Sequence, residues 1–314
     1  MFWKKPINPE MTQDGLLLFV VVSWGMTFLF TKLGLHSFPV LNFAALRTFA
    51  AAVTLTVCAG LLLRHRPHSR LSKGDHVLAL ILGGLGMGCF PYVFSLAMTQ
   101  TSAANAGLIF GATPVAVGGM SALLGLEGLR GRDWLGLVCS FAGIALVSGS
   151  SLSTAGGGHL QGDMLMFVAM LLWAGYTVGN RFVSGSASSV HFTALASLWG
   201  STIFCVLLGP RLLEFSWSTV PFSAWSGVFG AGVLGTGIAY VLWGKSVKSV
   251  GPARTAVYMN LVPLVAAACG AIFLGESLRM VHLPAAVAVM TGVVLTRGHS
   301  RKRHSGLASR PGHA

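Results

Sequence analysis

The chain has 314 residues, 54% of them hydrophobic and 9% charged, with a formal net charge of +13 and a mean hydropathy of +0.73. A soluble domain carries about 25% charged residues, so there is too little polar side chain here to cover a water-facing surface. The basic charges are dispersed through links between apolar runs, which argues against nucleic acid as a partner and suits residues that set membrane topology.

In chain order the apolar runs predict helices near 15–34, 39–63, 76–98, 102–124, 133–149, 163–182, 190–209, 223–246, 252–273 and 282–297. Many reach the roughly 17–25 residues that a spanning helix requires. No stretch has the alternation of a membrane strand. The expected fold class is an all-α membrane protein of ten transmembrane helices. Residues 1–14 form an N-terminal cytoplasmic segment, 15–149 a first five-helix unit, 150–162 a linker, 163–297 a second unit and 298–314 a basic cytoplasmic tail. The first apolar run could pass for a signal peptide, but an internal run in the second half matches it, so it reads as a retained helix.

The two units repeat each other at one constant shift without a gap. Trp24 maps to Trp173, Phe43 to Phe192, Gly86 to Gly235 and Gly88 to Gly237. Pro114 maps to Pro263, Glu127 to Glu276, Arg130 to Arg279, and Asp14 to Asp163. With five helices per unit, the second must enter the membrane in the opposite sense. Link charges agree: RHRPHSRLSKGD follows helix 2, whereas Arg211 is the only basic residue after helix 7. Placing both termini inside leaves only Lys32, Arg47, Arg211 and Arg279 outside or within a span. Two inverted repeats are therefore expected, an architecture that rocks around a central site.

The segments SWGMTFLFTKLG and LWAGYTVGNRF open the two halves. TSAANAGLIFGATPV with GLEGLRGRDWLGLVCSFAGIALV, and VGPARTAVYMNLVPL with FLGESLRMVHLPAAVAVMTGVVL, close them. Together these resemble the ten-helix EamA-type transporters of the drug/metabolite transporter superfamily. The resemblance covers residues 15–297; Leu126–Glu127 departs from the family's usual Gly-Glu. It implies secondary transport, in the export direction first, of small metabolites such as amino acids, at the inner membrane of a bacterium. The alternatives are a sugar-phosphate or nucleotide-sugar exchanger, and a receptor or scaffold that moves nothing. The implied partners are a small-molecule substrate and the lipid bilayer; the oligomeric state stays open, and a monomer is compatible.

No enzyme signature and no cofactor motif is present. The five cysteines, Cys58, Cys89, Cys139, Cys205 and Cys269, are scattered in apolar runs and suggest neither disulfides nor a metal. All eight acidic residues fall at expected helix ends or in links. Asp14, Asp75, Asp133 and Asp163 read as helix-start residues; Glu127 and Glu276 as holding their loops through Arg130 and Arg279. Small multidrug pumps of the resembled superfamily exchange protons through a membrane carboxylate, so that mechanism is disfavoured here.

Arg47, some eight residues into helix 2, is the deepest basic residue, and its repeat partner is Ala196. An arginine at that depth usually faces the bundle interior, and its fork suits a carboxylate; snorkelling is the competing reading. Lys32 and Arg181 are expected to snorkel, and His191 to be an interface residue. Tyr92, Asn105, Tyr258 and Asn260 are the further candidate substrate contacts. Trp24, Trp173, Tyr176, Tyr240 and Trp243 are possible lining or interfacial residues. Pro91, Pro114 and Pro263 are candidate kinks, and Gly86, Gly88, Gly235 and Gly237 candidate close-packing or hinge positions. The centres of helices 3, 4, 8 and 9 are expected to face the cavity.

Overall fold

The structure is a computed structural model that describes residues 9–63, 71–126, 131–152, 158–183, 189–250 and 258–297. Among these residues there is no strand. The first half contains α1 (Pro9–Leu35), α2 (Val40–Leu63), α3 (Lys73–Leu82), α4 (Phe90–Met98), α5 (Ala103–Gly111), α6 (Thr113–Leu123) and α7 (Gly131–Leu152). The second contains α8 (Gly158–Gly179), α9 (Ser189–Glu214), α10 (Phe222–Phe229), α11 (Ala239–Val250), α12 (Val262–Leu274) and α13 (His282–Arg297). Among the described residues, seven helical runs are long and apolar enough to cross a membrane: 13–35, 40–62, 73–98, 103–123, 159–182, 189–207 and 222–246. Exposed Phe49, Val57, Ile81, Val206 and Phe229 give these runs an apolar outer face suited to lipid.

Local chemistry explains the helix ends. Ser72 caps α3 by accepting from the Asp75 N–H at 3.1 Å, while the Asp75 carboxylate accepts from the Ser72 N–H at 2.7 Å. Asp133 lies in the first turn of α7. Asp14 and Asp163 depart from the helix-start expectation, because α1 begins at Pro9 and α8 at Gly158. Both helices run a turn further toward their N-termini than the apolar pattern alone suggests. α12 ends on Gly275 in the left-handed region at φ 66°, with the Glu276 N–H returning to Gly270 O at 3.0 Å. In the other copy Leu126 stands at that place, and Gly125, one residue earlier, takes φ 70° instead. Glu127 and Arg130 lie outside the described residues.

Two glycine-rich stretches are π-helical: Gly83–Cys89 between α3 and α4, and Gly230–Ile238 between α10 and α11. They lie at equivalent places in the repeat. A π segment widens the turn and leaves carbonyls poorly paired. Thr48 donates to one, Met87 O, at 3.2 Å, and Thr236 to Ala231 O at 3.1 Å. Pro114 breaks the α5–α6 run at Ala112. A proline has no N–H and its ring displaces the carbonyl four residues back; that carbonyl, Phe110 O, accepts from Thr113 Oγ1 instead. Pro263 sits at the second position of α12, after a 3-10 turn at Met259–Leu261.

The halves exchange contacts reciprocally. A Cβ on Gly83 would lie 2.4 Å from Ala196 O, and a Cβ on Gly232 would lie 2.5 Å from Arg47 O, the same pair shifted by one repeat. Likewise Gly143 packs on Ala285 O and Gly292 on Gly136 O. Such close backbone approach is how membrane helices associate, where lipid supplies no hydrophobic drive.

Candidate functional site

A small enclosed space lies where α2 meets both π segments, lined by Arg47, Thr48, Gly86, Met87, Phe90, Pro91, Thr236 and Tyr240. It has room for about one water. Arg47 is 4% exposed. Its Nη1 has no hydrogen-bond partner, and its guanidinium carbon lies 5.4 Å from the centre of the Phe94 ring. A cation buried in this way keeps unused N–H donors on a planar fork, the geometry that a carboxylate completes.

Two lining side chains, Phe90 and Tyr240, are aromatic, and further rings pack on them. Tyr240 lies between the repeat partners Trp24, at 6.1 Å between ring centres, and Trp173, at 5.5 Å. Trp173 also meets Phe90 at 5.1 Å and stacks on Tyr176 at 5.2 Å. Trp24 is fixed by donating its Nε1–H to Gly235 O at 2.9 Å, and Trp243 packs on it at 5.0 Å. The glycine candidates explain how these rings fit. A Cβ on Gly86 would fall 2.3 Å from the Tyr176 ring, and one on Gly235 would fall 2.3 Å from Thr27 Oγ1. At Gly237 it would meet Thr54 at 2.6 Å, whereas Gly88 has only an ordinary 3.7 Å neighbour.

The other sequence candidates are dispersed. Tyr92 packs away from the space, against Ala44, Ala45 and Phe204. Tyr258 packs on the main apolar core, and Asn260 is half-buried in the 3-10 turn before α12. Pro91 lines the space; Pro114 and Pro263 do not. Pro263 instead abuts α5, where a Cβ on Gly111 would lie 2.7 Å from its ring. No residue of α5, α6 or α12 is among those lining this small space. His191 is half-buried and its Nδ1 has no hydrogen-bond partner; Arg181 is exposed at the end of its helical run.

A second polar group joins α1, α5, α8 and the α12–α13 link. Asp163 is 0% exposed. It accepts from Thr101 Oγ1 and from Asn105 Nδ2 at 3.1 Å. Asn105 Oδ1 lies 2.8 Å from His282 Nε2, and His282 Nδ1 accepts from the Arg279 N–H at 2.8 Å. Beside it Glu276 pairs with Lys32 at 2.7 Å and accepts from the Ala103 N–H at 2.8 Å, at the start of α5. Lys32 is thus held in an ion pair rather than simply snorkelling. The Glu276 carboxylate reaches across to α1 and α5, not only within its own loop. Asp163 is a tertiary anchor rather than a helix-start charge. His282 and Thr101 escaped the sequence reading. Their partners lie far away in the chain, and the only available signal was a polar residue at the edge of an apolar run.

The sequence model of the EamA-like transporter family matches residues 11–149 and again 160–298. A protein of Streptantibioticus cattleyicolor named as a probable terminal-alkyne amino-acid exporter is 27% identical, over 94% of this chain and 96% of its own length. A protein of Salmonella typhimurium named as a probable amino-acid metabolite efflux pump is 26% identical, over 90% of this chain and 94% of its own. One solved crystal structure shares the fold with a TM-score of 0.60 at 19% identity, covering 96% of this chain and 99% of that one.

Proposed function

The chain belongs to the EamA-like transporter family, and from that premise we propose that it is a secondary transporter exporting small organic metabolites that carry a carboxylate, amino acids first among them. Ten spans in two inverted five-helix halves alternate access to the Arg47 space. Both termini are cytoplasmic, in a bacterial inner membrane. The observation that carries this reading is Arg47 itself: a buried guanidinium with an unpartnered Nη1, in a space between the two π segments lined also by Phe90 and Tyr240. The relatives named for amino-acid export support the substrate class. A phosphate dianion would call for more than one base, and among the described residues Arg47 is the only basic one lining the space.

The test is flux from proteoliposomes loaded with a labelled amino-acid and organic-acid library. Wild-type protein should move a subset of carboxylates. Arg47→Ala should lose at least about 100-fold in rate at equal insertion, the scale of removing a buried charge-assisted contact of roughly 3 kcal/mol. Arg47→Lys should recover only part, because the ammonium has no bidentate fork. Unchanged flux in Arg47→Ala would refute the assignment.

A further inference from the structure

The Asp163–Asn105–His282 group has no place in the substrate site, yet it fixes a protonation state. Asn105 gives its Nδ2 to Asp163, so its Oδ1 can only accept, and His282 Nε2 must be the donor. His282 Nδ1 accepts the Arg279 N–H, so it carries no proton. The ring is therefore held neutral by two opposed hydrogen bonds. The same link carries Glu276, which holds the start of α5 through Ala103 N–H and α1 through Lys32.

The repeat adds an independent observation. One repeat earlier in sequence, the places of Asp163 and His282 are taken by Asp14 and Asp133, and that of Asn105 corresponds to Arg254 one repeat later. In sequence, one set of equivalent places thus carries two carboxylates and a guanidinium, and the other a carboxylate, an amide and an imidazole. Only the second set contains a group that titrates between about pH 5 and about pH 8.

We propose that His282 is a proton-binding site that controls closure of the outer face. The sidedness of the site, but not the site itself, rests on the transporter reading above. A proton taken up at Nδ1 removes the acceptor for the Arg279 N–H and sets two N–H groups against each other. The link must shift, and the new imidazolium competes with Lys32 for Glu276. Both effects loosen the hold on α1 and α5. The charged groups facing the ring are Asp163 from α8, and Glu276 and Arg279 from the link, with Lys32 of α1 behind Glu276. α5 and α6 bring no ionisable side chain. α7 brings Arg132, Asp133 and Cys139, in the half that packs beside Gly292, away from His282.

Hydrogen exchange of the full chain in nanodiscs tests this without any substrate. After correction for intrinsic exchange, protection of the Arg279 amide should fall roughly tenfold on acidification, the scale of one hydrogen bond lost. The midpoint should lie between about pH 5 and about pH 6.5, because the two hydrogen bonds favour the neutral ring. His282→Gln, which keeps a donor for Asn105 Oδ1 but does not titrate, should show flat protection. Equal wild-type protection across the range would overturn the proposal, as would a midpoint below about pH 5, which assigns the proton to a carboxylate. Because the wild-type titration decides alone, a misfolded variant does not rescue the idea. Acid-sensitive protection without flux of any solute would sustain the proton site and refute the transport reading.

Discussion

Arg47 and Ala196 occupy the same place in the two copies, and their surroundings match closely. Each is buried, and each carbonyl is covered by a glycine of the other half's π segment, Gly232 over Arg47 and Gly83 over Ala196. Backbone packing has stayed symmetric while one side chain changed from a methyl to a guanidinium. The packing needs the glycine and is indifferent to what projects into the space beyond. Under the proposed function, the chemistry of the site is carried where the copies differ, and the framework where they agree.

The comparison breaks most severely at the shared glycines. Gly232→Val and Gly83→Val both press a side chain into a backbone carbonyl that cannot rotate away. Each should cost about 3 kcal/mol or more, read as loss of folded protein in detergent by thermal unfolding. Gly235→Ala should be milder, since its obstacle is the Thr27 hydroxyl. Equal stability of the two valine variants and wild type would dissolve the argument for reciprocal packing.

A smaller effect, of opposite sign, is expected at the side chain that differs. Arg47→Met keeps volume and removes a buried charge with an unpartnered Nη1. It should raise stability by about 1 kcal/mol while flux is lost. A structural role for Arg47 predicts the reverse, with both falling together.

Much of this frame was legible in the sequence. The run expected at 39–63 forms α2, Val40–Leu63, because its apolar stretch is bounded by a proline and by a basic link. The repeat shift located both π segments, though glycine density alone does not distinguish a π turn from a close-packed α-helix. Orientation about each helix axis was less legible. These runs are apolar on every side, so periodicity could not tell that Tyr240 lines the space while Tyr92 faces Ala44 and Phe204. The Asp163 group was hidden for another reason: Thr101, Asn105 and His282 meet it only through the packing of separate helices.

Weaker still is the expected effect at the polar lock. Glu276→Gln retains an acceptor for the Ala103 N–H but ends the ion pair with Lys32, whose partners are 24% and 14% exposed. Partial exposure screens such a pair, so the loss should be at most about 1 kcal/mol. Glu276→Ala also strips the helix cap and should cost about 1 kcal/mol more. Denaturation of both variants in the same detergent separates the two contributions; equal losses would mean that the cap contributes nothing.

The smallest effect is expected at Ser140, and it bears most directly on how the copies are related. Ser140 donates to Val289 O at 3.3 Å, and the two residues are 149 apart, the repeat shift itself. In the proposed inverted-repeat arrangement, a residue can touch its own repeat partner only at the axis that exchanges the copies. The bond is long, so Ser140→Ala should cost under about 0.5 kcal/mol. The position should also be quiet during transport, because points on a pseudo-twofold axis move least when two halves rock about it. A Ser140→Cys, Val289→Cys pair in a background without other cysteines should therefore cross-link readily and keep most of its flux. An equivalent cross-link between the α5 start and the α12–α13 link, at Ala103→Cys and Glu276→Cys, should stop flux. If the axial cross-link stops flux as completely as that one, α7 and α13 slide past each other, and the reciprocal packing at Gly143 and Gly292 is not a fixed hinge.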